Sequence, residues 1–281
     1  MKIAISAEST IDLPKELLVK YEIHIVPFAV TLGDKTALDG EITPKEIFEF
    51  VEKTGKLPKT SAVNEYQFEE HFKKILESYD AIIHFSLSTS LSSTYENAAK
   101  VSGQLENVFV LDTKSLSTGV ALLAIYARGL ADQNVQPNII YKKCLARVPH
   151  VQASFVLNNL EYLYKGGRCS SLQRFSVNLF KIRPQILVTD GKMGSGKVYR
   201  GKDEVVIKKY CEDTLEKFDN PDKTLAFVTV TDYSPEICKI AEDALRAKGF
   251  KTIYQTTAGS TITSHCGKKT LGILFINDGK Q

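Results

Sequence analysis

The chain of 281 residues carries a formal net charge of +3, from 36 lysine and arginine residues against 33 aspartate and glutamate residues. This near balance excludes a nucleic-acid binder that relies on overall charge. No stretch reaches the roughly 18 apolar residues that a membrane span requires, and the N-terminus lacks a signal-peptide pattern. We therefore expect a cytoplasmic protein without stable membrane insertion, which leaves transient contact with a membrane surface open.

The cysteine and histidine patterns argue against a metal centre. The five cysteines are odd in number and widely spaced, with no C-x-x-C pair, and no H-E-x-x-H motif occurs. Disulfide frameworks and structural zinc sites need closer and more regular spacing. We therefore expect reduced thiols, no metal and no cofactor.

The first half of the chain alternates predicted strands with predicted helices. Apolar runs predict strands at residues 2–5, 23–32, 81–85 and 107–112. Helices are expected at residues 15–21, 44–53, 65–78, 97–101, 115–130 and 138–147. Asp12, Thr43 and Asn64 are the predicted N-caps of the first three helices. This alternation is typical of βαβ units around a mostly parallel sheet.

The pattern changes near residue 150. Strands are predicted at residues 153–157, 185–189, 198–200, 225–230, 253–256 and 271–276. Helical segments are predicted at residues 160–164, 171–180, 203–218 and 235–248. Asp190-Gly191 is a hairpin signal between two of these strands. We expect a two-domain α/β protein, with a mostly parallel-sheet domain over residues 1–151 and a smaller mixed-sheet domain over residues 152–281.

A segment rich in serine and threonine, here called the hydroxyl segment (residues 86–94), joins a buried strand to a helix. It holds seven hydroxyl residues and no charge. Hydroxyl-rich backbone at a helix N-terminus can hold an anion without a metal. Ser93 and Glu96 match a capping box, which leaves Ser92 as the better candidate ligand. Ligands of parallel sheets bind beyond the carboxyl ends of the strands, so the predicted loop with Thr60 and Ser61 is expected on the same edge.

Three further motifs allow more than one interpretation. The run from Gly191 to Lys197 fits G-x-x-x-x-G-K, but Val198 follows where a P-loop needs serine or threonine, so a hairpin is favoured over a nucleotide site. Gly166-Gly167-Arg168 fits a helix stop or a phosphate-binding turn.

His265 lies in a hydroxyl-rich run before the last predicted strand. It is interpreted either as a structural histidine or as part of a polar site. A hydrolase or acyltransferase that pairs Ser92 or Ser93 with His265 is the alternative function. Such an enzyme needs a carboxylate to orient the histidine, and the sequence does not place one.

Together these motifs resemble the DegV family. They occur in the family's order at residues 8–14, 39–40, 60–61, 91–95, 112–115, 164–168, 182–184 with 190–191, and 265–267. The resemblance implies a two-domain α/β fold that buries one long-chain fatty acid and has no catalytic residue of its own. It also implies that some members present the acid to a separate ATP-dependent kinase subunit, which makes an acyl phosphate.

The resemblance assigns roles to individual residues. Thr60 and Ser92 would hydrogen-bond the fatty-acid carboxylate, with Ser61 and Ser93 beside them and His265 supporting the network. The partner-facing residues would be Arg168, Arg200 and Lys202. The chain departs from the family pattern at residues 62–63, 93 and 268–269, and none of these departures removes Thr60, Ser92 or His265.

Overall fold

The computed structural model describes residues 1–158, 160–168 and 182–279. The helix expected at 171–180 lies outside these residues. In the first half the strands are β1 (Ile3–Glu8), β2 (Ile23–Val26), β3 (Ala29–Leu32), β4 (Lys35–Leu38), β5 (Lys59–Ser61), β6 (Ala81–Ser86) and β7 (Val108–Asp112). The helices there are α1 (Lys15–Lys20), α2 (Pro44–Thr54), α3 (Glu65–Leu76), α4 (Thr94–Ser102), α5 (Thr118–Asp132) and α6 (Pro137–Arg147).

The second half continues with further strands and helices. The strands are β8 (Val151–Val156), β9 (Arg183–Thr189), β10 (Lys192–Tyr199), β11 (Leu225–Thr231), β12 (Thr252–Thr257) and β13 (Thr270–Ile276). The described helices are α7 (Glu161–Lys165), α8 (Asp203–Lys217), α9 (Pro235–Lys248) and α10 (Ser260–Cys266). None of the described helices is long and apolar enough to cross a bilayer.

Two sheets are built from the first half. Four strands form a parallel sheet in the order β2-β1-β6-β7, as the alternation of strands and helices predicts. A small antiparallel sheet has the order β4-β3-β5. The single strand expected at 23–32 is divided between these two sheets at Pro27, which cannot donate a backbone hydrogen bond to a ladder.

The second half forms a mixed six-stranded sheet in the order β10-β9-β8-β13-β11-β12. Only β11 and β12 pair in parallel among its strands. Asp190-Gly191 forms the turn of the β9–β10 hairpin, which confirms that prediction. The Gly191–Lys197 run therefore lies in a hairpin, as favoured from the sequence, and does not have the loop-to-helix geometry of a P-loop.

Helix α5 packs between the parallel sheet and the six-stranded sheet. It contacts β1 on one side and β11 and β13 on the other. Ala121, Ala124 and Ala127 are fully buried in this helix, and a helix that is apolar nearly all round belongs in an interior. Both halves therefore share one hydrophobic cluster, and the domain boundary predicted after residue 151 remains a prediction.

Two of the three N-caps predicted for the first helices are present in the structure, and the third is not. Thr43 and Asn64 each accept a hydrogen bond from the backbone of the third helical residue, in complete capping boxes. The prediction that Asp12 caps α1 is wrong, because Pro14 stands at that N-cap and no side chain caps the helix. Asp12 instead adopts a left-handed backbone conformation, φ 55°, and its carboxylate has distant partners.

Candidate functional site

A cavity of about 270 Å³ lies where the hydroxyl segment, β5, α10 and the β9–β10 hairpin meet. Much of its lining is apolar, from residues such as Phe28, Leu87, Leu91, Leu116 and Ile262. Among the described residues, the polar side chains that line it are Thr60, Ser92, Ser93, Arg168, Thr261 and His265. Five of these six had been singled out from the sequence, and Thr261 had not.

Thr60 and His265 form a direct pair across the cavity wall. Thr60 Oγ1 lies 2.9 Å from His265 Nε2, although the two residues are 205 positions apart. Thr60 is in strand β5 and not in the expected loop, and it is half-buried while its neighbours Lys59 and Ser61 are exposed. Because side chains alternate along a strand, Ser61 points away from Thr60. The structure therefore does not bring Ser61 to the cavity.

The side chain of His265 is half-buried, and its pKa is shifted from the ordinary value. Burial, followed by the positive charge of Arg168, lowers the pKa of His265 to about 4. The imidazole is therefore neutral at neutral pH, with one donor nitrogen and one acceptor nitrogen. Its Nδ1 atom is buried and has no hydrogen-bond partner among the described residues.

Of the two serines that line the cavity, Ser93 does not have the capping role expected for it. Ser93 precedes α4 but makes no side-chain capping bond, so the predicted capping box is wrong. Glu96 accepts from Thr89 Oγ1 instead, and the backbone N–H of Thr94 donates to Ser92 Oγ at 3.3 Å. A serine hydroxyl that accepts from the backbone keeps its own proton for a second partner. Ser92 and Ser93 both line the cavity as potential donors.

A buried carboxylate holds both ends of the hydroxyl segment. Glu8, at the end of β1, accepts from Ser86 Oγ at 2.6 Å and from the backbone N–H of Leu87 at 2.9 Å. It also accepts from Thr94 Oγ1 at 3.1 Å and is bonded to His84 Nε2 at 3.2 Å. Sequence reasoning missed this residue, although an acidic residue that ends a strand beside β6 was the available signal.

Helix α10 was not predicted, and residues from the start of the chain hold its first turn. The N–H of Gly259 donates to Asp12 Oδ1 at 2.7 Å, and the N–H of Ser260 donates to Asp39 Oδ1 at 2.9 Å. Ser117 Oγ donates to the other oxygen of Asp12. Burial raises the pKa of Asp12 to about 8. Two acidic residues of the N-terminal motifs thus position the helix that carries the cavity histidine.

The Gly166-Gly167-Arg168 turn packs on the histidine. A Cβ atom at Gly166 would lie 2.7 Å from His265 Nδ1 and 2.8 Å from the carbonyl oxygen of Tyr162, so only glycine fits there. Gly167 has a φ of 70°, which also favours glycine. Arg168 is exposed, lines the cavity and donates to the carbonyl oxygen of Gly166 at 2.7 Å. The turn therefore does more than end a helix.

Arg200 and Lys202 lie outside this cavity. Both are exposed in the segment between β10 and α8, and neither is among the cavity-lining residues. The partner-facing role expected for them remains a prediction.

The arrangement does not match a serine hydrolase. Within residues 1–158, 160–168 and 182–279, no hydrogen bond joins Ser92 or Ser93 to His265. No carboxylate bonds either ring nitrogen of His265 in that part of the chain, so the orienting group of a catalytic triad is missing there. No cluster of potential metal ligands is found among the same residues. What the cavity offers is a set of hydroxyl donors beside an apolar space.

Comparisons with known proteins agree with the expected family. The family model described as "Uncharacterised protein, DegV family" matches residues 2–278. A fatty acid-binding protein of Thermotoga maritima is 31% identical over 284 residues, which cover 97% of this chain and 96% of the relative.

Two solved structures are similar over almost their whole length. A DegV family protein from Thermus thermophilus, described for its fatty acid binding, has a TM-score of 0.90 and 25% identity, and the match covers 99% of this chain and 100% of that one. DegV of Bacillus subtilis, described as a fatty acid binding protein, has a TM-score of 0.85 and 26% identity with the same coverage. These similarities confirm the expected α/β fold. Since the family model spans nearly every residue, this chain belongs to the DegV family.

Proposed function

We propose that this protein binds one long-chain fatty acid, with its carboxylate at Thr60 and Ser92 and its tail in the apolar part of the cavity. The observation that carries this proposal is the Thr60–His265 pair beside the cavity serines, in a wall that is otherwise largely apolar. A curated relative and two similar solved structures that are described as fatty acid-binding support the choice of ligand.

The chemistry of the head group favours this arrangement. A carboxylate only accepts hydrogen bonds, so it requires O–H or N–H donors. When the neutral imidazole of His265 carries its proton on Nε2, it donates to Thr60 Oγ1, and the threonine proton is then available for the carboxylate. Ser92 accepts from the backbone of Thr94 and has its own proton available in the same way. His265 thus supports the network and sets the direction in which Thr60 donates, and Ser93 completes the polar wall.

A second, smaller cavity beside the main one indicates where the acyl tail extends. It has a volume of about 30 Å³ and shares Leu116, Ile262 and Cys266 with the main cavity. Its remaining wall comes largely from β8, β11 and β13, with side chains such as Phe155 and Leu274. We propose that the tail extends towards this second cavity. Each buried methylene contributes about 0.8 kcal/mol, so some fifteen of them contribute on the order of 10 kcal/mol before binding costs.

The ligand itself is the most informative test. Lipid extraction of the purified protein, followed by titration of palmitate into the delipidated protein, should give one long-chain acid per chain. The Thr60→Val, Ser92→Ala double variant should bind palmitate roughly 10- to 100-fold more weakly, because two donors to a charged group are lost. A protein that carries no lipid and binds neither palmitate nor oleate would reject the proposal.

We further propose that the bound acid is presented to a separate ATP-dependent kinase subunit, and that Arg168 at the cavity mouth, together with Arg200 and Lys202, has the partner-facing role. The exposure of all three cations supports this role, since arginine and lysine are suited to bind phosphate groups of a partner's substrate. Serving this partner requires no catalytic residue, cofactor or metal in the chain itself.

A further inference from the structure

Helix α10 carries four hydroxyl side chains, and one of them differs from the rest. Ser260, Thr263 and Ser264 each donate to a backbone carbonyl, as hydroxyls in helices commonly do. Thr261 is 3% exposed, and its Oγ1 atom has no hydrogen-bond partner among the described residues. It is also the only one of the four that lines the cavity. A buried hydroxyl without a partner is unfavourable, so this atom is suited to a ligand or a water.

The position of Thr261 on the helix places it near the head group. Thr261 and His265 are four residues apart and share a helix face, and helical side chains lean towards the N-terminus. The imidazole of His265 therefore extends over the turn that carries Thr261. Ile262 and Cys266 form the neighbouring stripe, which lines both the main cavity and the smaller one proposed for the tail. The helix thus presents a polar stripe and an apolar stripe to the same cavity.

From this arrangement we infer that Thr261 is a third hydroxyl donor to the bound carboxylate, in addition to Thr60 and Ser92. The inference rests on the proposed function, because it assigns a residue to the same carboxylate site. A carboxylate has about four lone-pair positions on its two oxygens, so two donors leave room for another. Thr261 donates either directly or through one water.

Isosteric substitution separates the hydroxyl from the shape of the side chain. Dissociation constants for palmitate and for hexadecanol, which has the same tail and no charge, are measured for wild type, Thr261→Val and Thr261→Ser. Thr261→Val should bind palmitate roughly 10- to 100-fold more weakly, with less than about a threefold change for hexadecanol, because hydrogen bonds to charged groups are the stronger ones. Thr261→Ser keeps the donor and should restore palmitate binding.

Thr263→Val is the matched control, since it removes a buried hydroxyl of the same helix that lies outside the cavity lining. We expect it to lower the melting temperature and to leave palmitate binding unchanged. Should Thr261→Val fail to fold, Thr261→Ala carries the same comparison.

Two outcomes would overturn the inference alone: palmitate binding by Thr261→Val as tight as that of wild type, or equal losses for palmitate and hexadecanol. Failure of the wild-type protein to bind palmitate would instead reject the proposed function, and with it this inference.

Discussion

At the scale of single residues, the site depends on polar groups whose hydrogen-bond capacity is nearly but not completely used. Ser92 accepts from the backbone and keeps a proton, and Thr60 is paired with a neutral histidine. Thr261 has no partner at all among the described residues. Such residual capacity is what a buried carboxylate needs, because every acceptor position that it brings into the cavity requires a donor.

Glu8 does not line the cavity, but its substitution should affect the site strongly because it holds the hydroxyl segment in place. Glu8→Gln replaces one acceptor oxygen with a donor, so at least one of its present donors, such as the backbone N–H of Leu87, loses its acceptor. We expect a loss of roughly 1–3 kcal/mol in the free energy of unfolding and weaker palmitate binding. Chemical denaturation and a palmitate titration measure the two effects. Glu49→Gln, at a side chain that is 62% exposed, should change stability by less than about 0.5 kcal/mol; equal effects of both changes would contradict this account.

At the scale of elements, helix α10 is the part that brings the two ends of the chain to one site. Its N-terminal backbone donates to Asp12 and Asp39, which come from motifs near the start of the chain. Its cavity face carries Thr261 and His265. The acidic motifs are therefore explained as anchors of this helix, and they are not themselves among the cavity-lining residues.

The contribution of Asp12 to the free energy of unfolding should depend on pH. Its pKa is raised to about 8 from an ordinary value near 4, so the folded state holds the proton more tightly than the unfolded state. Stability from this group is thus fully present below about pH 4 and is lost as the pH rises through 8. Asp12→Asn resembles the protonated form and should remove this decline, which urea unfolding at pH 5, 7 and 9 will detect. Parallel pH profiles of wild type and variant would show that Asp12 is ionised throughout.

What could be predicted from the sequence follows from how local each feature is. The capping boxes at Thr43 and Asn64 involve residues three positions apart, and both were predicted correctly. Asp12 and Ser93 have equally good local cap patterns, and neither caps a helix. The side chain of Asp12 instead accepts a hydrogen bond from the backbone of Gly259, which is 247 residues away. No local pattern reports such a contact.

The same reasoning applies to the site. The resemblance selected Thr60, Ser92, Ser93, Arg168 and His265, and all five line one cavity. The orientation of Ser61 depends on β5, a strand of three residues that exists only because it pairs with β3. Thr261 lies in a helix composed mainly of serine and threonine, which have little intrinsic preference for helices. Tertiary contacts decide both elements, so neither the orientation of Ser61 nor the place of Thr261 in the cavity wall was accessible from the sequence.

At the scale of the whole molecule, the cavity has an apolar interior and a cationic mouth. Leu116, Ile262 and Cys266 line both the main cavity and a smaller one, while Arg168 lines the main cavity and is exposed. This polarity suits a ligand with a long apolar tail and one anionic head. It also separates the residues that bind the acid from those that would face a partner.

Because Arg168 is assigned to the partner and not to the carboxylate, its substitution should reduce acyl-phosphate formation and leave palmitate binding intact. Arg168→Ala should retain palmitate binding within about threefold, because the acyl tail supplies most of the affinity. Acyl-phosphate formation with the kinase subunit and ATP should fall strongly. Arg246→Ala, which removes an exposed arginine of α9, serves as the control. Equal losses of binding and of acyl-phosphate formation in Arg168→Ala would refute this division of roles.

The most direct test of the central claim is a crystal structure of the delipidated protein reloaded with palmitate. We predict one acyl chain in the cavity, with a carboxylate oxygen about 2.6–3.2 Å from both Thr60 Oγ1 and Ser92 Oγ, and with the tail passing Ile262 towards Leu274. A palmitate whose carboxylate lies away from Thr60 and Ser92, or a cavity that stays empty at saturating palmitate, would contradict the account.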